Sequence, residues 1–466
     1  MQVHFVHHQQ RETETTFTTM ENSTAELPMA KETSSEHNER TSEILDVFNN
    51  AFGNLLTGDP VAFQSKFRKM AATPLAFFRG SACLFYHDLR EEAQEGTYLD
   101  KRTSRIWIHG DLHAENFGTY MNSHGRLIFN VNDFDESYIG PFTWDLKRFS
   151  ASIALIGYGK ALSDDQISRL VKVFATSYRQ KIHAMASSSE EVSGFSLDTA
   201  RGPLLECLRS ARLQSRVATL DATTHIHGHE RHFSKHGGVI EIDDATREKV
   251  TAAFEQYLST LPQPREQGSC YIKDVVSRRG VGIGSAGLPT YNLLVAGDNE
   301  ALENDVIIYM KQSQPSAVSS QIQDSKAQSY FKHEGHRTVV LQRSLQARAD
   351  PWLGWTEIDG KGYMVTEVSP FANDIEWSDI NDPEEIMAVV ADLGQAVAIM
   401  HKAADKEGAE SLVPFSIDEA IDEAIGSDEA KFENFLTEFA FEYSDRVRED
   451  HRLFVDAFRN GKIPGL

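Results

Sequence analysis

Two short apolar runs in this chain break directly into acidic and amide residues, and no other feature constrains the fold as tightly. Arg105-Ile-Trp-Ile-His109 runs into Gly-Asp-Leu-His-Ala-Glu-Asn116, and Leu127 to Val131 runs into Asn132-Asp-Phe-Asp-Glu136. A strand that ends in a polar loop delivers side chains to one edge of its scaffold, a usual place for chemistry. The intervening Asn-Ser-His-Gly predicts that the two runs pair as a hairpin, which sets the polar loops side by side.

The residue types in these loops suit a hard cation and a hydroxyl. Asp111 and Asn116 stand in a D-x-x-x-x-N spacing that resembles a kinase catalytic loop, in which the carboxylate would orient an acceptor hydroxyl and take its proton, while the amide oxygen would complete a magnesium shell. Beyond Asn116, Asp133 follows a short strand as a second metal ligand. Asp133 and Asp135 point to opposite sides of a continuing strand, so one of them reaches the metal, and Asp133 is the candidate. The plainer alternative makes these residues turn formers, with Glu136 merely solvated. His109 and His113 raise a transition-metal site, but Gly110 directly after a strand argues for a loop, not the helix that would put both rings on one face. Asp111, with His109 beside it, is the candidate catalytic centre. The run His225-Ile-His-Gly-His-Glu-Arg-His232 has a metal-like composition without ligand spacing and is expected to be an exposed loop.

Far downstream, Gly282-Ile-Gly-Ser-Ala-Gly287 lies between strand-like Asp274 to Ser277 and Tyr291 to Val295. In a dinucleotide-binding fold this pattern would open a helix. Pro289 and the apolar run after it predict a second strand instead, so the backbone N–H groups around Gly282, Gly284, Ser285 and Gly287 would cover nucleotide phosphates. Val306-Ile-Ile-Tyr-Met-Lys311 then ends in a lysine that would contact those phosphates, or that is simply a solvated strand end. Glu334 is the nearest glutamate that could pair with Lys311, with Gln323, Asp324 and Gln342 as substitutes. After strand-like Gly362 to Glu367, a hinge near Val368 would face adenine.

The rest of the chain frames these motifs. Residues 1–40 are polar and read as a disordered tail, and Ser42 is expected to cap a helix carrying Ile44, Leu45, Phe48, Phe52 and Leu55. Residues 41–264 read as the polar loops plus a helical layer. Residues 265–380 form a smaller β-rich unit that opens after Leu261-Pro-Gln-Pro264. Residues 381–466 return to helix, with Ile386, Val389, Val390, Leu393, Val397 and Met400 on one face. The formal net charge of -23 argues against nucleic acid or an anionic membrane as partner. The three cysteines, Cys83, Cys207 and Cys270, make neither a CxxC pair nor a disulfide framework. No apolar run approaches the ~18 to 20 residues of a membrane span, so a cytoplasmic location is expected.

With FFRG at Phe77 to Gly80, HGDLHAENFG at His109 to Gly118, NDFDE at Asn132 to Glu136 and GPFTWDLKR at Gly140 to Arg148, the sequence resembles the family called domain of unknown function 2252. GVGIGSAG at Gly280 to Gly287, MKQ around Lys311 and LQRSLQARADPWLGW at Leu341 to Trp355 match it too, over roughly residues 45–410. HGDLHAEN, DFDE and WDL are also similar to aminoglycoside and choline phosphotransferases. Those enzymes run Gly loop, Lys, hinge, a helix ending in Leu-His, then HGD and DF; here HGD and DF come first. The resemblance implies an α+β, protein-kinase-like two-lobed fold, circularly permuted, with a helical catalytic lobe and a smaller β-rich nucleotide lobe. Permutation is tolerated where the original termini are close and the break is exposed. Asp145 would be the structural Asp that buttresses the catalytic loop, or on the plainer reading a helix N-terminal charge. The implied cofactors are ATP and magnesium, or manganese, and the implied activity is phosphoryl transfer to a hydroxyl of a small molecule ahead of a protein. The sequence departs from the family in one place: Lys311-Gln-Ser stands where the pattern has Lys-Glu-Ala. Three alternatives stay open: an inactive nucleotide-binding module, a nucleotidyl transferase, and a metal-dependent hydrolase built on His109 and His113.

Overall fold

The computed structural model describes residues 29–465, apart from residue 94 and residues 189–192, 236–237, 264–269, 279–286, 298 and 405–411. The described chain opens with α1 (Met29–Gly58), α2 (Pro60–Met70), α3 (Pro74–Gly80) and α4 (Ala82–Asp88). Ser42 therefore lies inside a helix and caps nothing, and residues 29–40, expected to be tail, are helical. A tertiary tie explains this. Arg40 Nη2 sits 2.8 Å from Asp88 and 2.7 Å from Asp450, two nearly buried carboxylates, so a polar stretch with little apolar content is still anchored. Asp59 and Thr73 cap α2 and α3 by accepting from the amides of Ala62 and Ala76, ahead of prolines in each first turn.

Next come β1 (Ile106–Ile108), β2 (Phe117–Met121), β3 (Leu127–Val131) and β4 (Tyr138–Gly140). The expected hairpin has its turn at the expected place, but its first arm is β2, while β1 pairs with β4. Asn122 makes the turn: its Oδ1 accepts from the amides of His124 at 3.0 Å and Arg126 at 2.9 Å. The loop from His109 to Asn116 thus crosses from one small ladder to the other.

The helical layer holds α5 (Phe142–Gly159), α6 (Asp164–Ala186), α7 (Gly202–Arg212) and α8 (Arg216–Thr223). The histidine-rich run is not a loop: it forms a hairpin of β5 (Thr224–His227) and β6 (Glu230–Phe233), turned at Gly228 with φ +65°. After β7 (Val239–Ile240) and α9 (Asp244–Leu258) come β8 (Ile272–Arg278), β9 (Thr290–Val295) and β10 (Val306–Gln312). The chain then runs through α10 (Ser325–Tyr330), α11 (Glu334–Leu345), β11 (Gly354–Ile358) and β12 (Lys361–Glu367). It ends in α12 (Pro383–Ala403), α13 (Ile417–Ile425) and α14 (Glu429–Arg459).

The fold is mixed α+β, rich in helix; the described residues form one antiparallel six-stranded sheet in the order β11-β12-β10-β9-β8-β7 and three two-stranded ladders. On one face of the large sheet Val250, Phe254 and Tyr257 of α9 pack against Val275, Leu293 and Ile308. The β-rich unit therefore begins before residue 264: α9 reads as part of the helical layer, but its apolar side is buried by strands. Val276, Leu294 and Ile307 on the opposite face are covered by Leu220 and Phe233. The larger core joins α1 to α7 with α12 and α14, and all six apolar positions expected on α12 are buried in it. By length and composition α12 could cross a membrane, with a mean hydropathy of 1.3. The apolar stretch missed in the sequence is a core helix packed along α6.

Candidate functional site

The loop after β1 is hung on a single carboxylate. Asp145, in the first turn of α5 and fully buried, accepts the His109 amide at 2.7 Å on Oδ2 and the Gly110 amide at 3.0 Å on Oδ1. His401, at the end of α12, stands behind it at 3.3 Å and meets the Tyr178 hydroxyl at 2.8 Å. Gly110 has φ +80°, and a β-carbon there would collide with the carbonyl oxygen of Glu136, so glycine lets the two polar loops touch.

Both ring nitrogens of His109 serve the backbone: Nε2 donates to the Asn132 carbonyl at 2.8 Å, and Nδ1 accepts the Asp111 amide at 3.2 Å. Burial lowers its pKa and keeps it neutral. His109, expected in the catalytic centre, therefore shapes the loop and holds no lone pair for a substrate. His113 likewise accepts the Glu115 amide on Nδ1, at 3.2 Å. Among the described residues no three His, Cys, Asp or Glu side chains are grouped to hold a metal, and the pair offers no zinc geometry.

Asp111 is 16% exposed and bound on one side only. Its Oδ1 accepts from Arg148 Nε at 2.8 Å and from Nη2, while Oδ2 lies 3.9 Å from His113. Arg148 is fully buried, stacked 4.2 Å from the Phe78 ring, and donates to the Phe78 carbonyl at 3.0 Å. Burial pushes Asp111 up to about 7, against the opposing pull of Arg148. Asn116 donates from Nδ2 to the Asp111 carbonyl at 2.9 Å, and its own carbonyl accepts the Asn132 amide at 3.0 Å. Its Oδ1 makes no hydrogen bond among the described residues.

In the second loop Asp133 has φ +58°, a left-handed conformation that Asp tolerates better than most residues. Its side chain reaches solvent, and burial of its surroundings together with the charge of Asp135 raises its pKa. The strand ends at Val131, so alternation does not govern the two carboxylates; Asp135 pairs with Lys311 at the end of β10, 176 residues away in sequence. Burial pulls the Lys311 pKa down, but Asp135 and Asp133 outweigh it, so the lysine stays charged. Its partner is thus Asp135. Glu334 pairs with Arg337 on its own helix, Asp324 with Arg105 at 2.7 Å, and Gln342 with Gln346 at 3.2 Å. Glu136 is not merely solvated: its carboxylate accepts the Ala317 amide.

Of the glycine-rich stretch, Gly282, Gly284 and Ser285 fall outside the described residues. Gly287 is described, with φ +77°, and the flanking β8 and β9 pair as expected. The Val368 amide donates to the Ile307 carbonyl at 2.8 Å, extending the pairing of β12 with β10. Three arginines complete the site that sequence reasoning had left without a role. Arg148 holds Asp111. Arg337 donates to the carbonyls of Ser137 at 2.6 Å, Asp135 at 2.9 Å and Gln314 at 2.8 Å. Arg79 pairs with Glu115, and its Nε is buried without a hydrogen-bond partner among the described residues. Arg79 and Arg148 lie in the FFRG and WDLKR runs, but a basic residue on a helix ordinarily reads as solvated.

A family model described as "Uncharacterized protein conserved in bacteria (DUF2252)" matches residues 58–457. No curated protein and no solved structure matches the chain.

Proposed function

The chain belongs to the DUF2252 family, and we propose that it is an ATP- and magnesium-dependent phosphotransferase acting on a hydroxyl of a small molecule, built on a circularly permuted kinase-like fold. The ion pair between Lys311 and Asp135 carries this reading. It brings the lysine that closes the third strand of a Gly-loop hairpin onto the acidic loop that lies beside Asp111 and Asn116. That combination of strand lysine, acidic loop and catalytic-loop Asp and Asn is the equipment of phosphoryl transfer.

The donor set fits magnesium. Asn116 Oδ1 is free of hydrogen bonds among the described residues and Asp133 presents an exposed carboxylate; Mg²⁺ takes one or two such protein oxygens and fills its shell with phosphates and water. When bound, the ion would neutralise negative charge on the transferred group. The other tasks fall to the chain. Arg148 pins Asp111 Oδ1, which leaves Oδ2 to take the proton of the acceptor hydroxyl. Lys311 turns from Asp135 to the nucleotide phosphates. Asp145 keeps the His109 and Gly110 amides in place, so Asp111 does not swing away.

Calorimetric titration with MgATP tests the reading. Asp133→Ala should weaken binding on the order of tenfold or more, at least what loss of an outer-shell partner costs a metal site. Unchanged affinity would remove Asp133 from the metal. A product heavier by AMP instead of phosphate would replace phosphoryl with nucleotidyl transfer.

The pH profile follows from Asp111. Its carboxylate is the working form, so kcat/KM should rise about tenfold per pH unit below the midpoint near 7 and level off above it. Arg148 opposes the upward shift, so Arg148→Met should move that midpoint higher. A profile flat from pH 5 to 8 would show that Asp111 does not accept the proton.

A further inference from the structure

We infer that Lys66 on α2 is an anion-binding residue of this site, placed to hold a phosphate-type oxyanion beside Asp111. The inference rests on the phosphotransferase reading and adds to it a residue outside every motif that led there.

Lys66 is 5% exposed, yet among the described residues its ammonium makes no hydrogen bond and no ion pair. It faces aromatic rings: Nζ lies 4.0 Å from the centre of the Phe52 ring and 5.8 Å from that of Phe63. Such contacts compensate only part of the hydration an ammonium loses on burial. Buried charges in folded proteins are paired, and one that is not marks a place where a ligand supplies the pair.

The surroundings say which ligand. Burial pulls the Lys66 pKa down, and Cys83, Glu136 and Asp111 are the groups whose fields oppose it. Neither carboxylate is its counter-ion, because Glu136 is engaged with the Ala317 amide and Asp111 with Arg148. Phe63, one turn earlier on α2, lies against the end of the glycine-rich hairpin: a β-carbon on Gly287 would be 3.3 Å from its ring. One face of α2 therefore touches Gly287 and carries a cation without an ion-pair partner among the described residues, within the field of the proposed base. An ammonium is a compact charge with three donors, suited to a phosphate oxygen. The oxyanion is either the terminal phosphate of the nucleotide or an anionic group on the acceptor.

The test uses the full chain with Lys66→Met, which keeps the buried volume and removes the charge. MgATP, MgADP and inorganic phosphate are titrated separately, and thermal stability is recorded. The inference expects lost anion binding with Tm held or raised, because a poorly hydrated ammonium is gone. A tenfold or greater loss for MgATP with MgADP unchanged assigns the oxyanion to the terminal phosphate. Loss confined to inorganic phosphate assigns it to the acceptor. Wild-type affinities for all three probes would overturn the inference while leaving the phosphotransferase reading standing. If the unaltered chain binds neither MgATP nor phosphate, that reading fails and takes this one with it. Should Lys66→Met lose stability and binding together, Lys66→Arg decides: retained binding supports the assignment, and lost binding shows that the lysine only packs.

Discussion

Asp111→Asn is expected to bind MgATP nearly as well as the unaltered chain and to transfer phosphate slower by ~10² or more, the usual scale for a positioned base. The asymmetry of its bonds is the reason. A carboxamide oxygen can still accept from Arg148, so the guanidinium keeps a partner and the loop its shape. The atom lost to chemistry is Oδ2, which becomes a nitrogen that cannot take a proton. Nucleotide binding draws on Asp133, Asn116 and Lys311, which the substitution leaves alone. Calorimetry measures the first quantity and single-turnover kinetics with a confirmed acceptor the second; slow ATP hydrolysis serves until the acceptor is known. Equal turnover would rule Asp111 out as the base. If Asp133→Ala were silent as well, the chain would be an inactive module.

Asp145→Ala should fail in the opposite way, by unfolding. The carboxylate is fully buried and is the acceptor for both the His109 and Gly110 amides. Leaving two buried N–H groups unpaired costs roughly 1–3 kcal/mol each, so about 2–6 kcal/mol together. Asp145→Asn keeps one acceptor oxygen and should lose about half as much. Denaturant midpoints followed by fluorescence give both numbers. A loss below about 1 kcal/mol for the alanine variant would mean that the loop is held elsewhere.

The parts of this site that the sequence revealed are those whose signal is local. The two strand-to-polar-loop junctions, the pairing of β8 with β9 and the buried face of α12 each follow from a few neighbouring residues. What it concealed depends on distant partners. Lys311 and Asp135 find each other across 176 positions, and no periodicity announces the pairing. Arg148 sits in a helix whose sides are nearly all buried, so its charge looks misplaced until Asp111 is seen against it. The start of α1 is hidden for the same reason: residues 29–40 are polar, and their anchor, Arg40 between Asp88 and Asp450, depends on residues far along the chain. The type of His109 suggests catalysis, whereas its two nitrogens are consumed by the backbone. Spacing identifies which residues share a loop; it does not say which way a ring faces.

The anchoring of Arg40 bears on how the protein can be cut. The family match starts at residue 58, so a fragment trimmed to that boundary would discard α1 and with it the cation between Asp88 and Asp450. Those two carboxylates would then be left with Arg446, 3.9 Å from Asp88, as the remaining cation, beside an apolar surface that Ile44 and Phe48 had covered. The smallest piece worth expressing is therefore longer than the segment by which the family is recognised.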